Sequence, residues 1–204
     1  MARTAPGPVA DSGLTGPAKE MAVTTTSRIR LAPGSQPRLA VGSWRVDPVH
    51  SHTFFTARVA RRPVRGRLPL TGRVLIAQPV EDSTARLVAR SDAVSTGSSV
   101  LDRLLTGPAF LDARTFPEIS FRSELLAWVP TGWRAVGYLQ VKDTEHELAC
   151  RFELRLDAPR PGGPPRVGVA SSWVIDSRWI TSQWIPGLSH RVVITCTFGL
   201  EPSC

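Results

Sequence analysis

The chain has 204 residues, 42% of them hydrophobic, and its 18 prolines and 16 glycines indicate many turns within one barrel-sized domain. The formal net charge is +8 with only two lysines, Lys19 and Lys142, and we interpret this arginine bias as an effect of genome composition rather than evidence of a nucleic-acid partner. No apolar run is long enough to span a membrane and no secretory signal starts the chain, which predicts a cytoplasmic protein.

The chain divides into a tail and a folded domain. Residues 1–40 are rich in alanine, proline, glycine, threonine and serine without an apolar period, which predicts a disordered tail. Residues 41–204 are predicted to form the folded domain. Their three cysteines have no metal-like spacing, so Cys150 and Cys196 are predicted to be small core residues and Cys204 a free thiol at the chain end.

From Val41 onward, apolar and polar residues alternate with a period of two, which predicts strands with one dry and one wet face. The clearest run is Glu145 to Leu156. The same alternation marks Phe54–Val59, Val74–Ile76, Ala85–Arg90, Trp133–Val141, Val167–Trp173 and Val192–Leu200. Turns are predicted at Pro130-Thr131-Gly132, flanked by Trp128 and Trp133, at Asp143-Thr144 and across Pro159–Pro165. Roughly eight strands without βαβ alternation predict an all-β, antiparallel barrel or sandwich.

One short helix is predicted between the central strands. Ser99 and Asp102 fit an N-terminal capping pattern, and Gly107-Pro108 ends the helix. Asp102 is predicted either to cap this helix or to pair with an arginine. A lone short helix among strands is typical of a lid over a β structure.

The predicted inner faces mix large and small residues, so a barrel of this size either is filled by its own side chains or holds one small ligand. An apolar lining would favour a long-chain lipid, at about 0.8 kcal/mol for each buried methylene. The candidate lumen residues are Phe55, Ala57, Phe121, Gly137, Leu139, Cys150, Phe152, Cys196 and Phe198. In the solid-barrel alternative the same residues contact only one another.

Two further groups are candidates for polar contacts. Trp173, Trp179 and Trp184 surround Asp176 and Arg178, and they could form the mouth of the barrel or simply pack over its rim. At the first strand, Asp47, His50 and Ser51 could bind a ligand head group, although a buried polar network at a strand bend is favoured.

Two alternative functions remain open. His50 and His52 would lie on one side of a strand and could hold a metal for catalysis, but no third ligand and no nucleophile motif is evident, so no metal and no catalysis are expected. The arginines from Arg58 to Arg73 could contact nucleic acid or an anionic membrane. A solvated turn is favoured over either partner, and no aromatic residue is interleaved among these arginines, which argues against stacking on single-stranded nucleic acid.

The sequence resembles the YceI-like, lipocalin-like polyisoprenoid-binding proteins from about Trp44 to Leu200. The resemblance rests on Trp44, Val46, Asp47-Pro48, His50-Ser51, Gly66, Gly72, Ser95-Thr96-Gly97, Asp102, Phe110, Phe116-Pro117, Phe121, Gly137 and Ile175-Asp176, in this order. It implies a lipocalin-like barrel closed by a short helix, with a long isoprenoid-type lipid in the lumen. It also implies non-catalytic storage or transport of that lipid, no other cofactor, and a homodimer.

Overall fold

The computed structural model describes residues 40–129, 132–156, 166–181 and 183–203. In these ranges the strands are β1 (Gly42–Val46), β2 (His52–Val59), β3 (Arg62–Ile76), β4 (Thr84–Arg90), β5 (Glu118–Val129), β6 (Gly132–Val141), β7 (Thr144–Leu156), β8 (Val167–Asp176) and β9 (Arg191–Pro202). The single α-helix among them, α1 (Ser99–Thr106), lies between β4 and β5. Outside the described residues lie all but the last residue of the predicted tail, Pro130-Thr131 of one predicted turn, the predicted loop Pro159–Pro165, and Cys204.

Strands β2 to β9 form a closed antiparallel barrel. Each strand from β2 onward pairs with the next one, and β9 pairs back with β2 through Phe54 opposite Thr195 and Phe55 opposite Ile194. The predicted all-β barrel with one short helix is therefore confirmed. Closure gives every barrel strand two neighbours, so the sheet has no free edge between β2 and β9.

The additional strand β1 shares one position of the barrel with β2. The long strand β3 pairs with β2 through its first half and with β1 through its second half, where Arg45 lies opposite Arg73. On the other side, β9 pairs with β2 through its first half and with β1 through its last residues, where Trp44 lies opposite Pro202. The wall at this position is thus built from two short strands, interrupted by residues 47–51.

The alternating patterns place the apolar side chains inside, as expected from strand geometry. Along β9, Val192, Cys196 and Leu200 are buried while intervening residues such as Val193 are more exposed. Trp128 and Trp133 pair across β5 and β6 with their rings edge to face, 5.5 Å between centroids. The dry face of each strand therefore points into one shared interior.

Helix α1 and the segment after it cover one end of this interior. Thr181, in the β8–β9 connection, donates a hydrogen bond from its hydroxyl to the carbonyl of Ala109, which joins the two connections at this end. The expected capping role of Asp102 is not observed, because Ser98 is the N-cap residue. Asp102 instead accepts hydrogen bonds from the amide and hydroxyl of Thr96 (2.7 and 2.6 Å) and so fastens the preceding loop.

The helices of the described residues are short, and none of them is long and apolar enough to cross a membrane.

Candidate functional site

The interior of the barrel contains a cavity of about 180 Å³. All eight strands from β2 to β9 contribute side chains to its wall. A single water needs roughly 10–15 Å³ measured in the same way, so the space is far larger than a packing defect. The barrel is therefore not filled end to end by its own side chains.

Most of the lumen residues predicted from the sequence line this cavity: Phe55, Phe121, Leu139, Cys150, Phe152, Cys196 and Phe198. Two of the predicted residues, Ala57 and Gly137, lie outside its lining. Ala57 is at the rim, close to the β2–β3 turn. Gly137 marks a close approach of β6 to β5, since a Cβ atom there would lie 2.1 Å from the carbonyl oxygen of Arg122.

The wall of the cavity is almost entirely apolar. Its two hydroxyl groups already have partners, because Ser171 donates to the carbonyl of Arg151 (2.7 Å) and Thr53 Oγ1 lies 3.1 Å from Cys196 Sγ. Burial raises the pKa of the Cys196 thiol to about 12 and also raises that of Cys150. Both thiols therefore stay neutral, and the lining carries no charge. Apolar cavities of this kind stay dry and accept apolar guests.

Several lining residues were not candidates from the sequence. Within the barrel they include Leu68, Leu70, Val74, Ile76, Ala85, Leu87, Ala89, Trp133 and Ala135. For most of them, the period-two alternation of β3 and β4 indicates that the side chain points inward. The ends of the cavity are different, since Val94, Leu111 and Ile180 lie in connections whose sequence has no period. Only the packing of these connections onto the barrel brings them to the cavity.

The three tryptophans predicted to form a mouth lie at different depths. Trp173 points inward from β8 and lines the cavity. Trp179 is partly buried at the end of the barrel that α1 covers, where its ring stacks on the ring of His146 with 4.1 Å between centroids. Trp184 is 85% exposed. They do not form one cluster.

The ion pair between Arg178 and Asp176 lies beside these tryptophans. The guanidinium of Arg178 donates two hydrogen bonds to the carboxylate of Asp176 and lowers the pKa of that carboxyl to about 2.

The polar residues at the interruption between β1 and β2 form a network in which Asp47 and Ser51 are buried and His50 is exposed. His50 Nδ1 lies 2.6 Å from Asp47 Oδ2, and the Val49 amide donates to Asp47 Oδ1. Ser51 is fully buried and accepts a hydrogen bond from the amide of Gly199. Asp47, His50 and Ser51 do not line the cavity. The arrangement therefore agrees with a strand bend held by hydrogen bonds rather than with a head-group site.

The expected strand geometry of His50 and His52 is not observed, because β2 begins only at His52. His50 contacts Asp47, whereas the ring of His52 stacks on Phe54. In the part of the chain that the structure describes, no three histidine, cysteine or carboxylate side chains lie close enough together to hold a metal ion.

Comparison with known proteins identifies the domain. The sequence model of the YceI-like domain matches residues 44–194. No significant match was found among curated proteins.

Solved structures share the fold at low sequence identity. The chain is similar to BcnA from Burkholderia cenocepacia, at 15% identity and a TM-score of 0.65, covering 76% of this chain and 98% of that one. It is similar to the YceI protein of Campylobacter jejuni, at 15% and 0.60, covering 69% and 86%. It is also similar to a polyisoprenoid-binding domain from Saccharophagus degradans, at 16% and 0.57, covering 78% and 98%.

Proposed function

This chain belongs to the YceI-like family, and from that premise we propose that its barrel binds one long apolar lipid of the isoprenoid type in the lumen. The observation that carries the proposal is the uncharged cavity of about 180 Å³ inside the closed barrel. The polyisoprenoid-binding domain among the structural neighbours supports the same ligand class. The bound lipid is stored or carried without chemical change.

The energetic argument is the hydrophobic effect. Each methylene that leaves water for an apolar wall gains about 0.8 kcal/mol, so an isoprenoid chain gains affinity with every unit that enters the lumen. The wall has no free charge and its hydroxyls are already hydrogen-bonded to protein atoms. Selectivity therefore comes from length and shape, with small residues such as Ala135 and Cys150 leaving room beside Phe121 and Phe152.

Two neighbouring residues of β7 provide a matched test. Cys150 faces the cavity and Ala149 faces solvent, so Cys150→Phe fills the lumen while Ala149→Phe adds the same side chain outside. Protein purified without detergent is titrated with a polyprenol and examined by native mass spectrometry. We expect one bound chain for the wild type and for Ala149→Phe, and at least tenfold weaker uptake for Cys150→Phe.

Absence of uptake by the wild type, or equal uptake by both variants, would contradict the proposal. Thermal unfolding of each variant shows whether it is folded, and Ala89→Leu on β4 is a second lumen-filling variant on a different strand. Transfer of a fluorescent polyprenol from loaded protein to vesicles then separates the two roles, since a carrier releases its lipid and a storage protein keeps it.

A further inference from the structure

Four arginines form a row across the outer surface of the barrel. Arg45 on β1 lies directly opposite Arg73 on β3, Arg73 opposite Arg86 on β4, and Arg86 opposite Arg122 on β5. Residues paired in this way have side chains on the same face of the sheet, about 5 Å apart from strand to strand. All four are exposed. The row is defined here as Arg45, Arg73, Arg86 and Arg122.

Carboxylates of the described residues reach only the two ends of the row. Arg45 lies 3.5 Å from Glu201, and Arg122 lies 3.0 Å from Glu124 and 3.9 Å from Glu145. The two central arginines, Arg73 and Arg86, form no salt bridge with a carboxylate that the structure describes. Like charges directly opposite each other on neighbouring strands are unfavourable. An anionic surface outside the protein would offset this repulsion.

Apolar side chains accompany the row. Leu75 follows Arg73 on the same face of β3 and is 49% exposed, and Leu125 on β5 is 39% exposed. Leu75 lines one surface groove together with Arg73, Arg86 and Arg122. Cations next to exposed leucines suit a surface that offers phosphate groups above hydrocarbon. A nucleic-acid backbone offers the phosphates but gives the leucines nothing to contact.

The row also lies beside a gap in the wall of the barrel. The β4–β5 ladder ends at the pair of Arg86 and Arg122, and beyond it the amide of Ala85 is bound by the side chain of Ser123 rather than by β5 backbone. The cavity lies directly behind this gap, since Ala85, Val80 and Leu126, which flank the gap, also line the cavity. A surface bound by the row would face the part of the wall where the β4–β5 ladder has ended.

We propose that this row is a docking surface for anionic lipid membranes, with the arginines at the phosphate level and Leu75 at the hydrocarbon boundary. The proposal goes beyond lipid binding in the lumen. Membrane docking is measured independently of lumen occupancy, so failure of either proposal leaves the other standing.

The test uses the full chain and sedimentation with two kinds of vesicles, phosphatidylcholine alone and phosphatidylcholine mixed with phosphatidylglycerol. The variant Arg73→Gln/Arg86→Gln removes the centre of the row. Arg134→Gln/Arg151→Gln is the matched control, because these exposed arginines are also directly opposed, on β6 and β7, and form no salt bridge with a described carboxylate. The basic residues of the tail are the same in all variants.

We expect binding to the phosphatidylglycerol vesicles only, and weaker binding as salt rises. Each basic residue near an anionic surface contributes about fivefold, so the row variant should lower the partition coefficient about 25-fold. The control should lower it less than about fivefold, because its pair lies away from the row. Leu75→Ser should also lower it, by at least about tenfold, if the leucine enters the interface.

Three results would overturn the proposal: no binding of the wild type to phosphatidylglycerol vesicles, an equal loss in the row and control variants, or indifference to Leu75→Ser. The last result, together with row-dependent binding of a fluorescent DNA duplex, would assign the arginines to nucleic acid instead. Thermal unfolding confirms that each variant is folded. Arg73→Gln and Arg86→Gln made singly, each expected to lower binding about fivefold, keep the test valid if the double variant is unstable.

Discussion

Between β1 and β2 the barrel wall is interrupted by residues 47–51, whereas between β4 and β5 the ladder of hydrogen bonds stops at Arg86 and Arg122. The first interruption is closed by a dense polar network. Its segment satisfies both backbone groups of Gly199, through the amide of Asp47 and the hydroxyl of Ser51. The second is crossed by one side-chain hydrogen bond, from the Ala85 amide to Ser123 Oγ at 2.7 Å.

The charges at the two interruptions differ as well. At the first, Arg166 and His50 face Asp47, and Arg166 also reaches Glu201 at 2.5 Å, so opposite charges meet. At the second, Arg86 lies opposite Arg122, which pairs with Glu124, and Arg86 itself forms no salt bridge with a carboxylate that the structure describes. The first interruption is thus stabilised from within the protein, whereas the second lies beside the row that we propose binds an external anionic surface. The expected effects below, from the largest to the smallest, test this difference.

Asp47→Asn should have the largest effect, because it removes the charge from a buried hydrogen-bonded group. We expect the free energy of unfolding to fall by about 2 kcal/mol, measured by urea denaturation. The matched control is Asp176→Asn, which removes an ion pair with the exposed Arg178 and should cost less than Asp47→Asn does. Equal losses in the two variants would show that the network at the first interruption adds no stability of its own.

The same pair of variants gives a pH dependence. Burial by itself raises the pKa of Asp47, but the hydrogen bonds from His50 and Val49 and the charges of His50 and Arg166 lower it below the ordinary 3.8. The contribution of this carboxylate to stability is therefore present at neutral pH and is lost as the pH falls through its folded-state pKa. The difference in unfolding free energy between wild type and Asp47→Asn should shrink on acidification, and a constant difference would contradict this.

Ser51→Ala should follow in size. The fully buried hydroxyl of Ser51 accepts the Gly199 amide, and removing it leaves that amide without a partner. We expect a loss of about 1.5 kcal/mol in urea denaturation. A loss below about 0.5 kcal/mol would mean that backbone movement or water replaces the bond.

Ser123→Ala removes the one side-chain bond across the second interruption. The expected loss of global stability is smaller, about 1 kcal/mol, since this part of the wall is already loosely paired. Hydrogen exchange at the Ala85 amide should accelerate at least about tenfold, because the opening becomes local. An unchanged exchange rate would show that the gap is closed by other contacts.

Arg86→Gln should have the smallest effect and the opposite sign. It relieves repulsion from Arg73 and Arg122, so the free energy of unfolding should rise by about 0.3 kcal/mol at low salt. Added salt should abolish the gain, because these charges are exposed. Arg90→Gln on the same strand is the control, since Arg90 pairs with Asp92 and should show no gain.

Much of this fold could be predicted from the sequence, for a local reason. Side chains alternate between the two faces of a strand, so the inward direction of Phe121, Phe152 and Cys196 follows from their spacing alone. The same reasoning was incomplete for Gly137, which marks a close contact between strands rather than lumen space. It also grouped Trp173 with Trp184, which the structure separates into lining and solvent.

The sequence by itself determined the strand faces, the short helix and the family. Tertiary structure alone decided that β1 and β2 share one barrel position, that Val94 and Ile180 close the cavity, and that Arg45, Arg73, Arg86 and Arg122 form one row. The physical reason is that alternation is a property of each strand, whereas register depends on which distant strands pair. Arginines up to 77 residues apart along the chain become neighbours only when that register is set.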